Sequence, residues 1–212
     1  MTIPDQLRHN PVLPILNLAD QETALHVVEA LITGGIKALE ITLRTPAALD
    51  VLRAVRKEFR ELTLGAGTIL EKEQIKKVFD SGIDFGVSPG WDDDIWIQAQ
   101  SLGFHLFPGI LTPTELTRAQ KAGCRSLKVF PIEPVGGINY LKSLIAPFRS
   151  LGMKYLPTGG ISKGNVTPYL AEETVLAVGG SWMAPPALIE KKNFRAITEL
   201  AKESFCLGNQ LP

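Results

Sequence analysis

The stretch Ala38-Leu39-Glu40-Ile41-Thr42-Leu43 runs into a polar turn, Arg44-Thr45-Pro46, and then into the amphipathic segment Ala47–Phe59. A short apolar, β-branched run that gives way to a helical pattern reads as one βα unit. Pro46 suits the first turn of the helix, where its missing N–H costs nothing, and Thr45 is a candidate N-cap. Comparable runs occur at Val12–Leu18, Thr63–Ala66, Phe85–Ser88, His105–Phe107, Leu127–Phe130, Lys154–Leu156 and Val175–Val178. Their centres recur every ~20 to 28 residues, about the length of one βα unit. Helical patterns lie between them, among them Gln21–Ile32, Lys72–Asp80 and Thr114–Ala122, with Gly34-Gly35, Gly82 and Gly123 as stop signals.

Strands alternating with helices predict a parallel sheet covered on both faces. About eight such units close a (β/α)8 barrel, whereas a doubly wound sheet usually has about five or six strands. The first run carries no G-x-G-x-x-G, which weakens the nucleotide-binding alternative. No Pro- or Ser-rich linker and no charge run divides the 212 residues. We therefore expect one α/β domain over residues 1–212, a (β/α)8 TIM barrel with an extra C-terminal helix.

Composition narrows the function classes. Lys plus Arg number 22 and Asp plus Glu number 22, so no net field draws the chain to nucleic acid or to an acidic membrane surface. No apolar run approaches the ~18 residues of a membrane span, and residues 1–10 lack the apolar stretch of a signal peptide. Cys124 and Cys206 stand apart and read as reduced thiols, which points to the cytoplasm. His9, His26 and His105 show neither metal-ligand nor triad spacing, so no metal and no cofactor is expected.

Chemistry in a barrel belongs at the C-terminal ends of the strands. In Ser126-Leu127-Lys128-Val129-Phe130-Pro131, alternation puts Ser126, Lys128 and Phe130 on one face. Leu127 and Val129 suit the helix-facing side, so Lys128 points inward. Such a lysine is either tied to an internal carboxylate or is a nucleophilic amine held partly neutral by burial and a nearby cation. Lys37 and Lys154 lie at strand starts and are weaker candidates.

Glu40, Thr42 and Arg44 share a parity in the same way. They form either a salt bridge that plugs the mouth, or a proton shuttle (Glu40) beside a receiver for a substrate carboxylate (Arg44). Thr158-Gly159-Gly160 and Gly179-Gly180-Ser181 fall at the seventh and eighth strands, where barrels most often hold phosphate. Each could equally be a tight turn; the pair at this address favours the anion. Gly65-Ala66-Gly67-Thr68 and Ser88-Pro89-Gly90 end the third and fourth strands and leave room for a ligand. The acidic run Trp91-Asp92-Asp93-Asp94 reads as a helix start rather than a metal site.

Taken in order, these motifs resemble the 2-dehydro-3-deoxy-phosphogluconate (KDPG) aldolases and 4-hydroxy-2-oxoglutarate aldolases. The matching segments are Pro11–Ile15, Leu39–Thr45, Gly65–Thr68, Ser88–Gly90, Pro108–Ile110, Lys128–Pro131, Pro157–Ile161 and Gly179–Trp182. The resemblance implies a class I aldolase with Lys128 as the Schiff-base lysine and Glu40 as the acid/base. It implies that Arg44 and Thr68 hold the keto-acid carboxylate and that Pro89 and Phe130 wall the pyruvyl group. Thr158, Gly159, Gly160, Gly179, Gly180 and Ser181 would hold the distal, phosphorylated end. It further implies a small phosphorylated 2-oxo acid as substrate, KDPG or its galactonate-derived counterpart, and a homotrimer. Two departures are Val129, where many members carry phenylalanine, and the Trp91–Asp94 rim. Outside the family, a sugar-phosphate isomerase or decarboxylase and a non-catalytic phosphometabolite-binding barrel are the rivals.

Overall fold

The predicted alternation runs the length of the computed structural model, which describes residues 1–209. Its strands are β1 (Val12–Leu16), β2 (Ala38–Thr42), β3 (Thr63–Gly67), β4 (Phe85–Val87), β5 (His105–Phe107), β6 (Gly109–Ile110), β7 (Ser126–Val129), β8 (Lys154–Pro157) and β9 (Val178–Gly180). The helices are α1 (Ile3–Arg8), α2 (Gln21–Thr33), α3 (Ala48–Glu58), α4 (Lys72–Asp80), α5 (Asp93–Ser101), α6 (Pro113–Lys121), α7 (Gly137–Ile145), α8 (Thr167–Leu170), α9 (Pro186–Glu190) and α10 (Phe194–Asn209). The last of these is the extra C-terminal helix, and its face packs against α2: Thr198 Oγ1 donates to the Ala30 carbonyl at 3.0 Å.

All strand pairs are parallel. Six strands form one sheet in the order β5-β4-β3-β2-β1-β9, and three form another in the order β6-β7-β8. Only Pro108 separates β5 from β6. Lacking an N–H, it cannot continue the ladder, but its carbonyl accepts from Lys128 N at 3.0 Å. At the other end the bridges Tyr155↔Val175 and Thr158↔Gly179 tie β8 to the β9 segment. The two sheets thus adjoin at both of their edges.

The alternation of side chains sorts the core into an inner and an outer set. Leu13, Ala38, Phe85, Val87, Phe107 and Leu156 form an enclosed cluster on the inner face. Leu16, Leu39, Ile41, Leu64, Ala66 and Leu106 face outward against the helices. Leu127 and Val129 do the same on β7, packing with Leu116, Leu141 and Ile145, as the parity argument requires.

Two expectations need correction, and one helix is an addition to them. Residues 1–10 hold a helix that their polarity conceals: Thr2 and Asp5 make a capping box with Pro4 in the first turn. Leu7 of α1 is fully buried in the enclosed cluster, and Gln6 Oε1 accepts from Thr63 Oγ1 at 3.1 Å. α1 therefore covers the N-terminal end of the sheet. Thr45 does not cap α3; its hydroxyl donates to the Leu18 carbonyl at 3.0 Å, and Ala47 precedes the helix without a side-chain cap. The last strand pairs over Val178–Gly180 rather than Val175–Val178, so Gly179 and Gly180 lie within it, opposite Leu13 and Pro14.

Candidate active site

β2 positions the first group. Ala38 belongs to the enclosed cluster, so Glu40, two residues on, projects from the same face. It is 1% exposed, and among the described residues neither carboxylate oxygen has a hydrogen-bond partner. Burial pushes its pKa up, and the charges of Lys128 and Arg44 only partly oppose that shift. Gly67 makes room for it: a Cβ there would fall 1.8 Å from Glu40 Oε1. Gly67 is thus a site residue that the sequence motif contained but did not single out. Its signal was a glycine inside an otherwise regular strand.

β7 positions the second group. Lys128 is 7% exposed and pairs with Gly109 on one side and Leu156 on the other. Its Nζ lies 5.0 Å from the centre of the Phe130 ring, a cation–π distance. Among the described residues no carboxylate comes within ion-pair distance of Lys128, and Glu40 and Arg44 form no salt bridge. Neither the tied-lysine reading nor the salt-bridge plug describes these side chains.

Arg44 follows β2 and donates from Nε to Thr68 Oγ1 at 3.1 Å. Thr68 holds a left-handed backbone, φ 59°, at the end of β3. Pro89 follows β4, where its carbonyl packs so closely that a Cβ on Gly109 would come within 2.1 Å of it. Gly109 is the ladder partner of Lys128, so Pro89 stands on the lysine's side of the mouth.

The glycine pairs differ in what they do. Gly159 and Gly160 turn with φ 97° and 87°, in the region that side chains disfavour. A Cβ on Gly159 would come 3.0 Å from the Phe130 ring, so this turn touches the wall beside Lys128. Behind Gly160 lies Glu133, whose Oε1 accepts from the Tyr169 hydroxyl. Gly179 is a packing glycine instead, because a Cβ there would meet Thr158 Cγ2 at 2.4 Å. Thr158 Oγ1 is buried and has no hydrogen-bond partner among the described residues, and Ser181 is exposed just beyond β9.

These positions share the C-terminal ends of the strands. Arg44 and Thr68 are hydrogen-bonded, Arg44 and Lys128 both act on Glu40, Phe130 lies beside Lys128, and Gly159 abuts Phe130. Sequence reasoning overlooked Asn17, whose Oδ1 accepts from Thr42 Oγ1 at 3.3 Å. A lone asparagine after a strand carries no signal of its own.

The residues outside this mouth have other uses. Asp92 caps α5 by accepting from Ile95 N at 2.9 Å, and Asp93 pairs with Arg118. Among the described residues no cluster of His, Cys, Asp and Glu is arranged to hold a metal ion. A cavity of about 280 Å³ lies between Trp96, His105 and Cys124, near the strands' other ends. Among the described residues no carboxylate or lysine lines it, in contrast to the mouth.

A model of the KDPG and KHG aldolase family matches residues 3–200. The chain is 38% identical over 198 residues to the KHG/KDPG aldolase of Escherichia coli strain K12, covering 93% of this chain and 92% of that one. It is 40% identical over 200 residues to the 2-dehydro-3-deoxy-phosphogluconate aldolase of Pseudoalteromonas atlantica, covering 94% and 92%. Among solved structures it is similar to the KDPG aldolase of Legionella pneumophila, in which pyruvate was captured as a covalent carbinolamine intermediate. The TM-score is 0.90 and the identity 37%, over 95% of this chain and 97% of that one. With the family model spanning nearly the whole chain and the mouth carrying the expected residues, this chain belongs to the KDPG and KHG aldolase family.

Proposed function

We propose that the two adjoining sheets close as a (β/α)8 barrel and that the chain cleaves 2-dehydro-3-deoxy-6-phosphogluconate to pyruvate and glyceraldehyde 3-phosphate through a Schiff base on Lys128. One observation carries the reading: among the described residues, a buried lysine without a carboxylate partner shares the mouth with a buried carboxyl whose oxygens have no hydrogen-bond partner. Buried polar groups are rarely left unpaired unless they have work to do. The covalent pyruvate adduct of the Legionella relative supports the same chemistry.

The amine of Lys128 adds to the C2 ketone and forms a carbinolamine, and loss of water gives the protonated imine. That cation accepts the electron pair of the C3–C4 bond. Glu40 takes the C4-hydroxyl proton as the bond breaks, which releases the aldehyde and leaves the enamine of pyruvate. Protonation at C3 and hydrolysis then free pyruvate and restore Lys128. A carboxyl whose pKa is raised by burial suits both halves of this proton transfer. Arg44, oriented by Thr68, receives the C1 carboxylate, and Pro89 and Phe130 bound the pyruvyl group. Thr158, Gly159, Gly160, Gly180 and Ser181 form the distal end for the phosphate, with Gly179 giving Thr158 its place. The shorter 4-hydroxy-2-oxoglutarate fits the same carboxylate anchor, and assembly as a homotrimer is part of the proposal, tested by mass in solution.

Borohydride reduction in the presence of pyruvate tests the core of the proposal. The expected result is an irreversible mass gain that maps to Lys128. No adduct, or an adduct at Lys37 or Lys154, refutes it.

A further inference from the structure

We propose that Asn17 is a specificity residue of this mouth, whose side-chain amide donates a hydrogen bond to the substrate hydroxyl between the reacting carbon and the phosphate. The inference rests on the aldolase reading and extends it to the residue that follows β1.

Position comes first. Leu13 of β1 lies in the enclosed cluster, so Ile15 and Asn17 continue the inward face. Ile15 agrees, because a Cβ on Gly179 would come 2.8 Å from its Cδ1. β1 lies between β2 and β9. The register Ile15↔Glu40 and Leu16↔Ile41 carries Asn17 opposite Thr42, while Pro14↔Gly180 faces the other neighbour. Asn17 therefore stands between the strand that carries Glu40 and the strand that leads to Ser181. In the proposed substrate the hydroxyl on C5 has the same relation, between the carbon that Glu40 serves and the phosphate.

Chemistry comes second. Thr42, 1% exposed, donates to Asn17 Oδ1 at 3.3 Å and so fixes the carbonyl side of the amide. Among the described residues no hydrogen bond engages Asn17 Nδ2, and the side chain is exposed at the mouth. The residue that follows is pinned as well, since Thr45 Oγ1 donates to the Leu18 carbonyl at 3.0 Å. An anchored carbonyl with a free NH2 is an oriented, uncharged donor. Such a donor matches a hydroxyl and discriminates against a substrate that lacks one.

The test compares Asn17→Ala and Asn17→Asp with the unsubstituted chain. Asn17→Asp keeps an acceptor for Thr42 and removes the amide donor, which separates substrate contact from support of Thr42. The readouts are kcat/KM for the phosphorylated substrate, kcat/KM for 4-hydroxy-2-oxoglutarate, which lacks this hydroxyl, and methyl-proton exchange of pyruvate. Both variants are expected to lose about three- to tenfold on the phosphorylated substrate, the worth of one neutral hydrogen bond, and to keep the other two rates. An unchanged ratio between the two substrates, an equal loss on all three readouts, or an Asn17→Asp variant with full activity overturns the inference. Failure of the unsubstituted chain to be trapped by pyruvate and borohydride overturns the aldolase reading itself, and it is seen without any variant.

Discussion

Glu40→Gln separates a proton-transfer group from a structural counter-ion. A counter-ion that neutralises a buried lysine would leave an uncompensated charge when removed, at a cost of roughly 3 to 5 kcal/mol. For a domain of this size about 2 to 4 °C of melting temperature accompanies each kcal/mol, so the loss would be about 6 to 20 °C. The structure argues for the opposite sign. Glu40 is 1% exposed, its oxygens lack partners, and no ion pair ties it to Lys128 or Arg44 among the described residues. Burial raises its pKa above the ordinary carboxyl range. A carboxyl raised on folding favours the folded state fully below its unfolded pKa, and that contribution is lost as pH rises through the folded pKa. The neutral amide cannot ionise, so the stability of Glu40→Gln relative to the unsubstituted chain should rise with pH over that window. The variant is expected to melt at or above the unsubstituted chain at neutral pH. Its pyruvate methyl exchange should fall about 10²- to 10⁴-fold, the usual worth of general acid–base help. Thermal unfolding at several pH values and exchange followed by NMR supply both numbers. A variant that turns over at nearly the normal rate and melts many degrees lower would refute the reasoning.

Other substitutions probe the remaining parts. Lys128→Met should abolish borohydride trapping and exchange while the far-UV spectrum is retained, since only the amine is lost. Arg44→Ala should raise the KM for pyruvate exchange about tenfold or more, as expected for a lost charge-assisted hydrogen bond; steady-state exchange kinetics check it. Gly67→Ala places a Cβ 1.8 Å from Glu40 Oε1 and should depress exchange more than it depresses pyruvate binding. Leu7→Ala, in the enclosed cluster, should cost about 2 to 5 kcal/mol in denaturant unfolding and leave KM unchanged.

The strand and helix pattern was legible because burial dictates it. β2, β5 and α4 appear within a residue of where the apolar run or helical period put them. What failed was local and polar. α1 carries a single fully buried residue, Leu7, too few to produce a periodic signal. Thr45 had the chemistry of a cap, but the Leu18 carbonyl from the previous unit took its hydroxyl, a tertiary contact that no window of sequence contains. The last strand slid toward its glycines because Gly179 and Gly180 pair with Leu13 and Pro14, whereas strand propensity favours the valines before them.

The site was legible for a related reason. Charged residues on the inward parity of a strand are conspicuous, because a buried charge is costly and must answer to some use. That logic singled out Lys128 and Glu40, which are buried, and the parity of β2 added Arg44, which is exposed. It could not find Gly67, whose contribution is an absent side chain, or Asn17, which is ordinary until the register sets it opposite Thr42. Both belong to the shape of the mouth rather than to its charge. Charge selects the chemistry, a lysine and a carboxyl held apart and unpaired. On the proposed reading shape decides which substrate reaches them, and that shape emerges only when β1, β2 and β3 are laid side by side in register.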